Sequence, residues 1–452
     1  MSHGPRNYSL VDPGDVHDVA TNAQRLGVLF SVSVELSRLI GGWIPRSPEL
    51  PEKLALGKLT FEDADAAAAL ETRLRELRLS EGEVEALRRR TSPALLALER
   101  AESGHAFLAG LVRVIKPAFV ADLQRHIDGA PPYVDEPTVR ILRRVIAEQE
   151  QHIAKGLSML ADRGVGWTDH LELENELRGG LWDTRAEGGN LVTGEFVGRE
   201  PITLDQPLWP AAVRQLAYED PGPAYPSDFD GAMRRCVHDL IFSEVEALDI
   251  FGHYVYAFAD TEFPWEFHRA AARIAWDEAR HVELLLDVLE RYDGTVGEFP
   301  AKAPGYDEYR RQDSIVEKLI MVNVIAEGEV STDTQTQHRD AFRELGDELS
   351  ATLKDYEMAD EVVHGRFGLV WSRWLADRTG EDWSAAYQRA FQALEEFKGQ
   401  HDDEGGDSPI PLIRLGADET GSKRVMNVEA KRLAGFTDEE IERMRAQSAV
   451  EV

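Results

Sequence analysis

The amino-acid sequence predicts an all-α protein, and three observations support this fold class. Apolar residues recur at spacings of three and four over long stretches, as on the buried face of an amphipathic helix. No segment shows, over a useful length, the strict alternation of apolar and polar residues that is typical of β-strands. Glycine, proline and acidic residues, which end and begin helices, separate the apolar stretches. For 452 residues we expect two or three domains, each able to bury a core.

The N-terminal region is predicted to be a helical domain over residues 1–163. Its apolar-periodic stretches cover residues 24–43, 61–79, 94–129 and 136–163. The last of them begins after two consecutive prolines, with acidic residues and Pro137 in its first turn, a pattern that favours a helix start.

Three segments follow the N-terminal region. Residues 164–230 contain many prolines and paired glycines and little helical periodicity, and we expect an irregular connector there. Residues 231–400 contain three breaks, near Phe263-Pro264, across 293–309 and near Gly346, which predict four helices. Residues 401–452 are expected to form a flexible stretch and a tail with one short helix near 437–447.

Composition excludes several classes of partner. Asp and Glu number 82 against 50 Lys and Arg, and the resulting net charge of −32 disfavours nucleic acids and anionic membrane surfaces, whose binding needs clustered basic residues. Cys236 is the only cysteine, which excludes an intramolecular disulfide and a cysteine-based zinc site. We identify neither a signal peptide nor an 18-residue apolar stretch, and we expect a cytoplasmic protein.

Two segments of the second helical region carry the same pattern of acidic residues and histidine. Asp277-Glu278-x-x-His281 and Asp360-Glu361-x-x-His364 each place Glu and His three residues apart, and this spacing brings both side chains to one face of a helix. A single Glu-x-x-His is a weak signal, and Glu102-x-x-His105 is a third match that we attribute to chance.

The spacing between the two segments strengthens the signal. Glu278 and Glu361 differ by 83 positions (361 − 278), as do His281 and His364. A further glutamate lies 34 residues before each Glu-x-x-His, at Glu244 and Glu327. Two helical hairpins with arms of about 20 to 25 Å would bring these side chains to one level, given a rise of 1.5 Å per residue.

The six residues form the ligand set of a two-metal site. A four-helix bundle that takes one Glu from each of two helices and Glu-x-x-His from each of the other two encloses two ions. Carboxylates with two imidazoles suit iron or manganese, and buried glutamates need a cation or a proton. Glu246 and Glu329 also differ by 83 positions. They remain alternatives to Glu244 and Glu327, which we prefer because the neighbours of Glu244 are more apolar.

These segments resemble a known family. RIAWDEARHVELLLDVLE and KDYEMADEVVHGRFGLVW, with FSEVEALDIF and NVIAEGEV upstream, are similar over about 232–375 to a ferritin-like family of di-iron carboxylate proteins, distantly related to tRNA-hydroxylating monooxygenases. The resemblance implies a ferritin-like bundle in which Glu278 and Glu361 bridge two irons and are the candidate catalytic residues. It also implies that Glu244 with His281 completes one shell, and that Glu327 with His364 completes the other.

Residues around the ligand set have two interpretations each. Asp277 and Asp360 either orient the histidines or are solvated. Gly365 and Gly368 either leave a pocket beside the metals or allow close helix packing. The aromatic residues near the motifs either line a pocket or belong to the core: Tyr254, Tyr256, Trp276, Trp371 and Trp374.

The N-terminal domain resembles a second, degenerate ferritin-like bundle. Asp63 is followed by Ala66 where a histidine would be needed, and Gln149-x-x-His152 has glutamine for glutamate. With Glu35, these residues are too few for two ions. We expect this domain to shape the substrate cavity or a subunit interface.

The sequence therefore predicts an oxidoreductase with two Fe ions, Mn or mixed Mn/Fe being the alternative, and O2 as co-substrate. It would hydroxylate, desaturate or N-oxygenate a small organic molecule, with an external reductant, and a homodimer is left open. The alternatives are a ferroxidase-type iron-handling protein and a non-enzymatic scaffold.

Overall fold

A computed structural model describes residues 18–130, 133–180, 206–217, 220, 222–258, 263–398 and 426–450. The predicted all-α class is confirmed, because the described residues form helices and no β-strand. An isolated parallel bridge pairs Gln215 with Ala301.

The helices are numbered in chain order. The first group comprises α1 (Val19–Trp43), α2 (Leu50–Glu76), α3 (Glu81–Arg88), α4 (Pro93–Glu99), α5 (Gly104–Gly110), α6 (Lys116–Gly129), α7 (Glu136–Asp162) and α8 (Leu171–Gly180). The second group comprises α9 (Phe229–Ala257), α10 (Trp265–Arg291), α11 (Pro304–Arg311), α12 (Ile315–Leu319), α13 (Thr332–Glu344), α14 (Glu348–Thr379), α15 (Trp383–Lys398), α16 (Val428–Ala434) and α17 (Asp438–Val450). Two π-helical segments, Leu111–Ile115 and Ile320–Ser331, join α5 to α6 and α12 to α13.

The chain divides into two compact units. The first consists of residues 1–47, 55–203 and 252–273, and the second of residues 48–54, 204–251 and 274–452. Both units are discontinuous in sequence, so they do not coincide with the consecutive segments predicted from the sequence.

Local capping explains where the first group departs from the predicted helices. The single helix expected over 94–129 is interrupted, because Ser103 accepts the N–H of Ala106 and starts α5 anew. Helix α3 was not predicted. Ser80 and Glu83 form a reciprocal capping box at its first turn.

Two predicted breaks in the second group are confirmed, but the prediction of four helices is wrong, because α11 begins at Pro304 inside the expected break across 293–309 and α15 follows a further break at Gly380. Helix α9 ends at Ala257 and α10 begins at Trp265, on either side of the expected break near Phe263-Pro264. Gly346, with φ of +78°, separates α13 from α14, and glycine adopts this left-handed conformation without steric cost. The apolar run before Glu327 is π-helical, and period analysis does not predict this feature.

The connector and the tail are only partly described. Residues 181–205 and 401–425, which include most of the expected irregular stretches, lie outside the described residues. Helix α8 lies within the predicted connector, so that prediction is wrong for residues 171–180. The helix expected near 437–447 corresponds to α17, which Thr437 and Glu440 cap reciprocally.

Helix α1 corrects one expectation about apolar segments. By length and composition it could cross a membrane, although we expected no such stretch. Within the described residues, 89% of its apolar window is buried. The core helix of a folded domain passes the same test of length and composition.

Candidate metal centre

Four helical elements of the second unit carry the six predicted ligands. Helix α9 carries Glu244, α10 carries Glu278 and His281, the π-helical segment carries Glu327, and α14 carries Glu361 and His364. All six side chains are buried, and none of these residues is more than 9% exposed.

Five of the six side chains form two groups that share one glutamate. His281 Nδ1 lies 3.2 Å from one carboxylate oxygen of Glu278 and 3.5 Å from Glu244. His364 Nδ1 lies 3.2 Å from the other oxygen of Glu278 and 3.6 Å from Glu327. The potential ligand atoms of each group lie within 4.8 Å of one another. Glu278 therefore has the position of a carboxylate that bridges two ions.

Glu361, the sixth predicted ligand, lies beside the second group. Its carboxylate lies 3.5 Å from His364 Nδ1, and no contact of this carboxylate with the first group is observed among the described residues. The bridging role that the resemblance implies for Glu361 remains a prediction, whereas Glu278 contacts both imidazoles.

The two aspartates of the motifs contact the histidines in a crossed arrangement. Asp360 lies 3.3 Å from Nε2 of His281, and Asp277 lies 3.6 Å from Nε2 of His364. Each aspartate thus faces the histidine of the other motif, and each Nδ1 is turned toward the glutamates. Metal-binding histidines are commonly oriented by a carboxylate on their second nitrogen.

Arg280 links the two aspartates. Its guanidinium donates hydrogen bonds to Asp277 and, at 2.8 Å, to Asp360. Arg280 lies one residue before His281 on α10, and a contact with both motifs explains how one side chain can hold helices α10 and α14 in register.

Burial and mutual repulsion raise the pKa of two of the glutamates, Glu278 and Glu361. Burial, with the charge of Glu327, raises the pKa of Glu278 to about 7 and raises that of Glu361 well above its ordinary value. Burial also disfavours the charged imidazoles, but the carboxylates around them outweigh it and raise the pKa of His281 and His364. Without another cation, protons must neutralise this group of carboxylates.

Several buried polar atoms of the site make no hydrogen bond, and this indicates that the site can bind a metal ion. Oε2 of Glu361 and both ring nitrogens of His364 make no hydrogen bond of acceptable geometry, although carboxylate oxygens surround the ring. Buried polar atoms are nearly always satisfied. These oxygen and nitrogen atoms point toward one another without forming hydrogen bonds, an arrangement that fits a metal ion bound between them.

The alternative glutamates point to other partners. Glu246 accepts the backbone N–H of Tyr306 at 2.8 Å, and burial raises its pKa to about 8. Glu329 accepts the hydroxyl of Tyr387 at 2.9 Å. Glu244 and Glu327 are the members of the two pairs that lie against imidazoles.

The glycines of α14 serve close helix packing. A Cβ at Gly365 would lie 2.8 Å from the Cα of Gly328, and one at Gly368 would lie 2.4 Å from Cβ of Asn323. The pocket interpretation of these glycines is therefore wrong, because the π-helical segment fills the space.

The predicted pocket aromatics have separate neighbours. The hydroxyl of Tyr256 donates to Glu99 in the first unit, and Tyr254 packs against Phe258 in the same unit. Trp276 lies under the guanidinium of Arg280, and Trp371 packs edge to face with Trp374. Phe251 was not among the predicted pocket aromatics, and its ring centroid lies 6.1 Å from that of His364.

Three buried residues beside the glutamates were not singled out from the sequence. Lys354 donates to Glu357, and the charges of both interact with Glu244. The imidazole of His338 is buried near Lys354 and Glu244, and burial lowers its pKa to about 3. Lys354 and Glu357 precede Glu361 by seven and four residues, so helical spacing could have placed them on its face.

The candidate ligands of the N-terminal region do not form one site. Glu102 is exposed and precedes the cap residue Ser103, so it does not share a helical face with His105. Glu35 is buried and pairs with Arg38 at 3.3 Å. Asp63, Gln149 and His152 lie together in the first unit, in a cluster that contains Lys116.

Comparison with known proteins gives one match. The profile of a family described as protein of unknown function (DUF455) matches residues 204–404, a range that includes all six predicted ligands. No curated protein and no solved structure matches the chain.

Proposed function

We propose that the second unit is a ferritin-like four-helix bundle that binds two metal ions and activates O2 to oxidise a small organic substrate. One observation carries this proposal: two buried Glu/His groups share Glu278, and the histidines of both groups turn Nδ1 toward the glutamates. Four carboxylates and two imidazoles are the donor set of di-iron and di-manganese carboxylate bundles.

Iron is the proposed metal, with manganese or a mixed pair as the alternative, because hard oxygen donors dominate the set. Glu244, Glu278 and His281 would hold one ion, and Glu278, Glu327, Glu361 and His364 the other. When bound, such a pair supplies electrons for the reduction of O2.

The protein side chains have distinct tasks around the metals. Asp360 and Asp277 hold the imidazoles so that Nδ1 remains the coordinating atom. Arg280 holds these aspartates in place through its hydrogen bonds. Lys354 balances the charge of Glu357 beside Glu244, and the buried surroundings of the site exclude water.

We further propose a small-molecule substrate, an external reductant and a cytoplasmic location, and we leave a homodimer open. Two other functions have distinct signatures. An iron-handling ferroxidase would oxidise Fe(II) in excess over the chain without an organic co-substrate, and a scaffold would bind no metal.

The test combines metal analysis with oxygen consumption. The chain is loaded anaerobically with Fe(II), desalted and exposed to air in the presence of a reductant and panels of small organic molecules. The proposal expects O2 uptake that depends on one class of molecule. Stoichiometric Fe(II) oxidation with no such dependence would favour the iron-handling alternative.

Glu244→Gln and Glu246→Gln form a matched pair within this test. The first variant removes a carboxylate that faces His281, and we expect reduced metal loading. The second removes a carboxylate that binds the backbone at Tyr306, and loading should persist. If Glu246→Gln lowers the metal content more than Glu244→Gln does, Glu246 is the ligand.

A further inference from the structure

A second buried cluster of polar side chains lies in the first unit, around the ammonium group of Lys116. Its Nζ lies 2.8 Å from Asp63, 2.7 Å from Oε1 of Gln149 and 3.0 Å from Nδ1 of His152. Gln149 in turn donates to the second oxygen of Asp63 at 2.5 Å. An ammonium has three N–H groups, so these three acceptors account for all of them. Lys116, Asp63 and Gln149 are fully buried, and His152 is 2% exposed.

The histidine of this cluster has the orientation of a metal ligand. Nδ1 of His152 faces the ammonium, and Nε2 lies 2.5 Å from a carboxylate oxygen of Glu62. Nδ1 must accept a hydrogen bond from Lys116, so Nε2 carries the ring proton and donates a hydrogen bond to Glu62. The imidazoles of the candidate metal centre are held in the same way, with Nδ1 inward and Nε2 toward a carboxylate.

The cluster corresponds to one half of the metal centre residue by residue. Gln149 and His152 are three apart on α7, as Glu361 and His364 are on α14. Glu62 precedes Asp63 and faces the histidine of the cluster, as Asp277 precedes Glu278 and faces His364. This agreement includes the partner of each imidazole nitrogen, which chance clustering of polar residues does not explain.

The correspondence extends to the helix that carries the lysine. Lys116 directly follows the π-helical segment Leu111–Ile115, and Glu327 lies in the π-helical segment Ile320–Ser331. Lys116 precedes Gln149 by 33 residues, and Glu327 precedes Glu361 by 34. Lys116 therefore has the position of a ligand glutamate, and its ammonium group lies among the acceptors that would hold the ion.

The other half of the cluster lacks a ligand set. Ala66 follows Asp63 by three residues, where His281 follows Glu278, and the buried Glu35 of α1 is paired with Arg38. The charge of Lys116 is matched by Asp63, while burial lowers the pKa of Lys116. One carboxylate balances one ammonium, whereas two divalent ions need four carboxylates.

We propose that the first unit contains the counterpart of a metal site in which the ammonium of Lys116 takes the place of a metal ion. The cluster binds no metal as it stands, and replacement of Lys116 by a carboxylate converts it to a site for one divalent transition ion. The ligands would be Asp63, His152, Gln149 and the new carboxylate, an oxygen-rich set with one imidazole.

The test counts metal in Lys116→Glu after loading with Co(II) and desalting, against the unaltered chain. We expect one additional ion per chain in Lys116→Glu and none in Lys116→Gln, which removes the ammonium without supplying a carboxylate. His152→Ala in the Lys116→Glu background should remove the additional ion. These differences arise in the first unit, so they do not depend on whether the second unit binds metal.

Two results would overturn the proposal. One is a folded Lys116→Glu chain with the same metal content as Lys116→Glu/His152→Ala. The other is a loss of metal from the otherwise unaltered chain on His152→Ala, since the cluster would then already hold an ion. If Lys116→Glu unfolds in the presence of a chelator, Co(II) during refolding should restore the circular dichroism of the native chain. Failure of Co(II) to restore it would count equally against the proposal.

Discussion

The candidate metal centre of the second unit and the lysine cluster of the first present nearly the same kinds of buried side chain with a different balance of charge. In the second unit Glu278, Glu327 and Glu361 converge on the imidazole of His364. In the first unit an ammonium group lies among Asp63, Gln149 and His152. Under the two proposals above, similar sets of buried side chains hold either a cation supplied by the protein or one taken from solution, and the number of carboxylates determines which cation fits.

The largest expected effect is a loss of stability in a variant of the first unit that has no counterpart in a variant of the second. With a chelator present, Lys116→Gln should lower the free energy of unfolding by about 3–5 kcal/mol, because it leaves the buried Asp63 without its cation. Glu278→Gln should leave it unchanged or raise it, because it removes one of several crowded carboxylates. Urea denaturation followed by circular dichroism measures both. A loss of similar size in both variants would contradict the comparison.

The second effect concerns histidines. The carboxylates raise the pKa of His281 and His364, whereas burial and the charges of Arg38 and Arg88 lower the pKa of His268, in the first unit, to about 3. The neutral His268 therefore stabilises the fold above the unfolded pKa of about 6.5, and this stability is lost as the pH falls from 6.5 toward 3.

We expect His268→Gln to flatten the pH dependence of the unfolding free energy in that window, by about 3 kcal/mol at pH 4. Denaturation curves between pH 7 and pH 4 test this expectation. His170→Gln, at a half-exposed histidine of the same unit, provides the control. Parallel profiles for the unaltered chain and His268→Gln would contradict it.

The third effect tests the crossed aspartates. Asp360→Asn should weaken metal binding about 10–100-fold, because the carboxylate on Nε2 of His281 orients the ring and increases its basicity. Asp355→Asn, at an exposed position on the same helix, is the matched control and should bind as the unaltered chain does. Competition with a chromophoric chelator gives both affinities. Equal affinities would remove the positioning role of Asp360.

The smallest effect concerns helix packing. Gly365→Ala should cost about 1–3 kcal/mol of stability, because the added Cβ meets the backbone of Gly328 at 2.8 Å. Gly82→Ala in the first unit meets nothing within 4 Å and should raise stability by about 0.5–1 kcal/mol, as an exposed helical glycine replaced by alanine does. Thermal melts of both variants measure the contrast, and a neutral Gly365→Ala would show that the two helices can separate.

The sequence predicted the all-α class and the convergence of six residues, because a repeated offset of 83 positions constrains two helical hairpins at once. It could not reveal the crossed pairing of Asp360 with His281 and of Asp277 with His364, which depends on how α10 faces α14. The sequence predicted one continuous helix over 94–129, where the structure has a break before α5. The spacing of apolar residues does not reveal this break, because it depends on the local capping by Ser103.

Lys116 illustrates a second limit. A lysine on a helix is ordinarily solvated, so no pattern marks one that lies among an aspartate, an amide and an imidazole. Asp63 and Gln149-x-x-His152 form an incomplete ligand set in the sequence, and the structure shows that the ammonium group of Lys116 lies among them. Lys354 and Glu357, by contrast, share the face of Glu361 and were accessible to helical spacing alone.

The most direct test of the account is the metal content of the purified chain after anaerobic loading with Fe(II) and desalting. We predict about two transition-metal ions per chain, from the six-residue cage, and loss of most of this metal in Glu278→Ala, whose carboxylate faces both imidazoles. A chain that binds no metal, or a Glu278→Ala variant with undiminished metal content, would contradict the central claim.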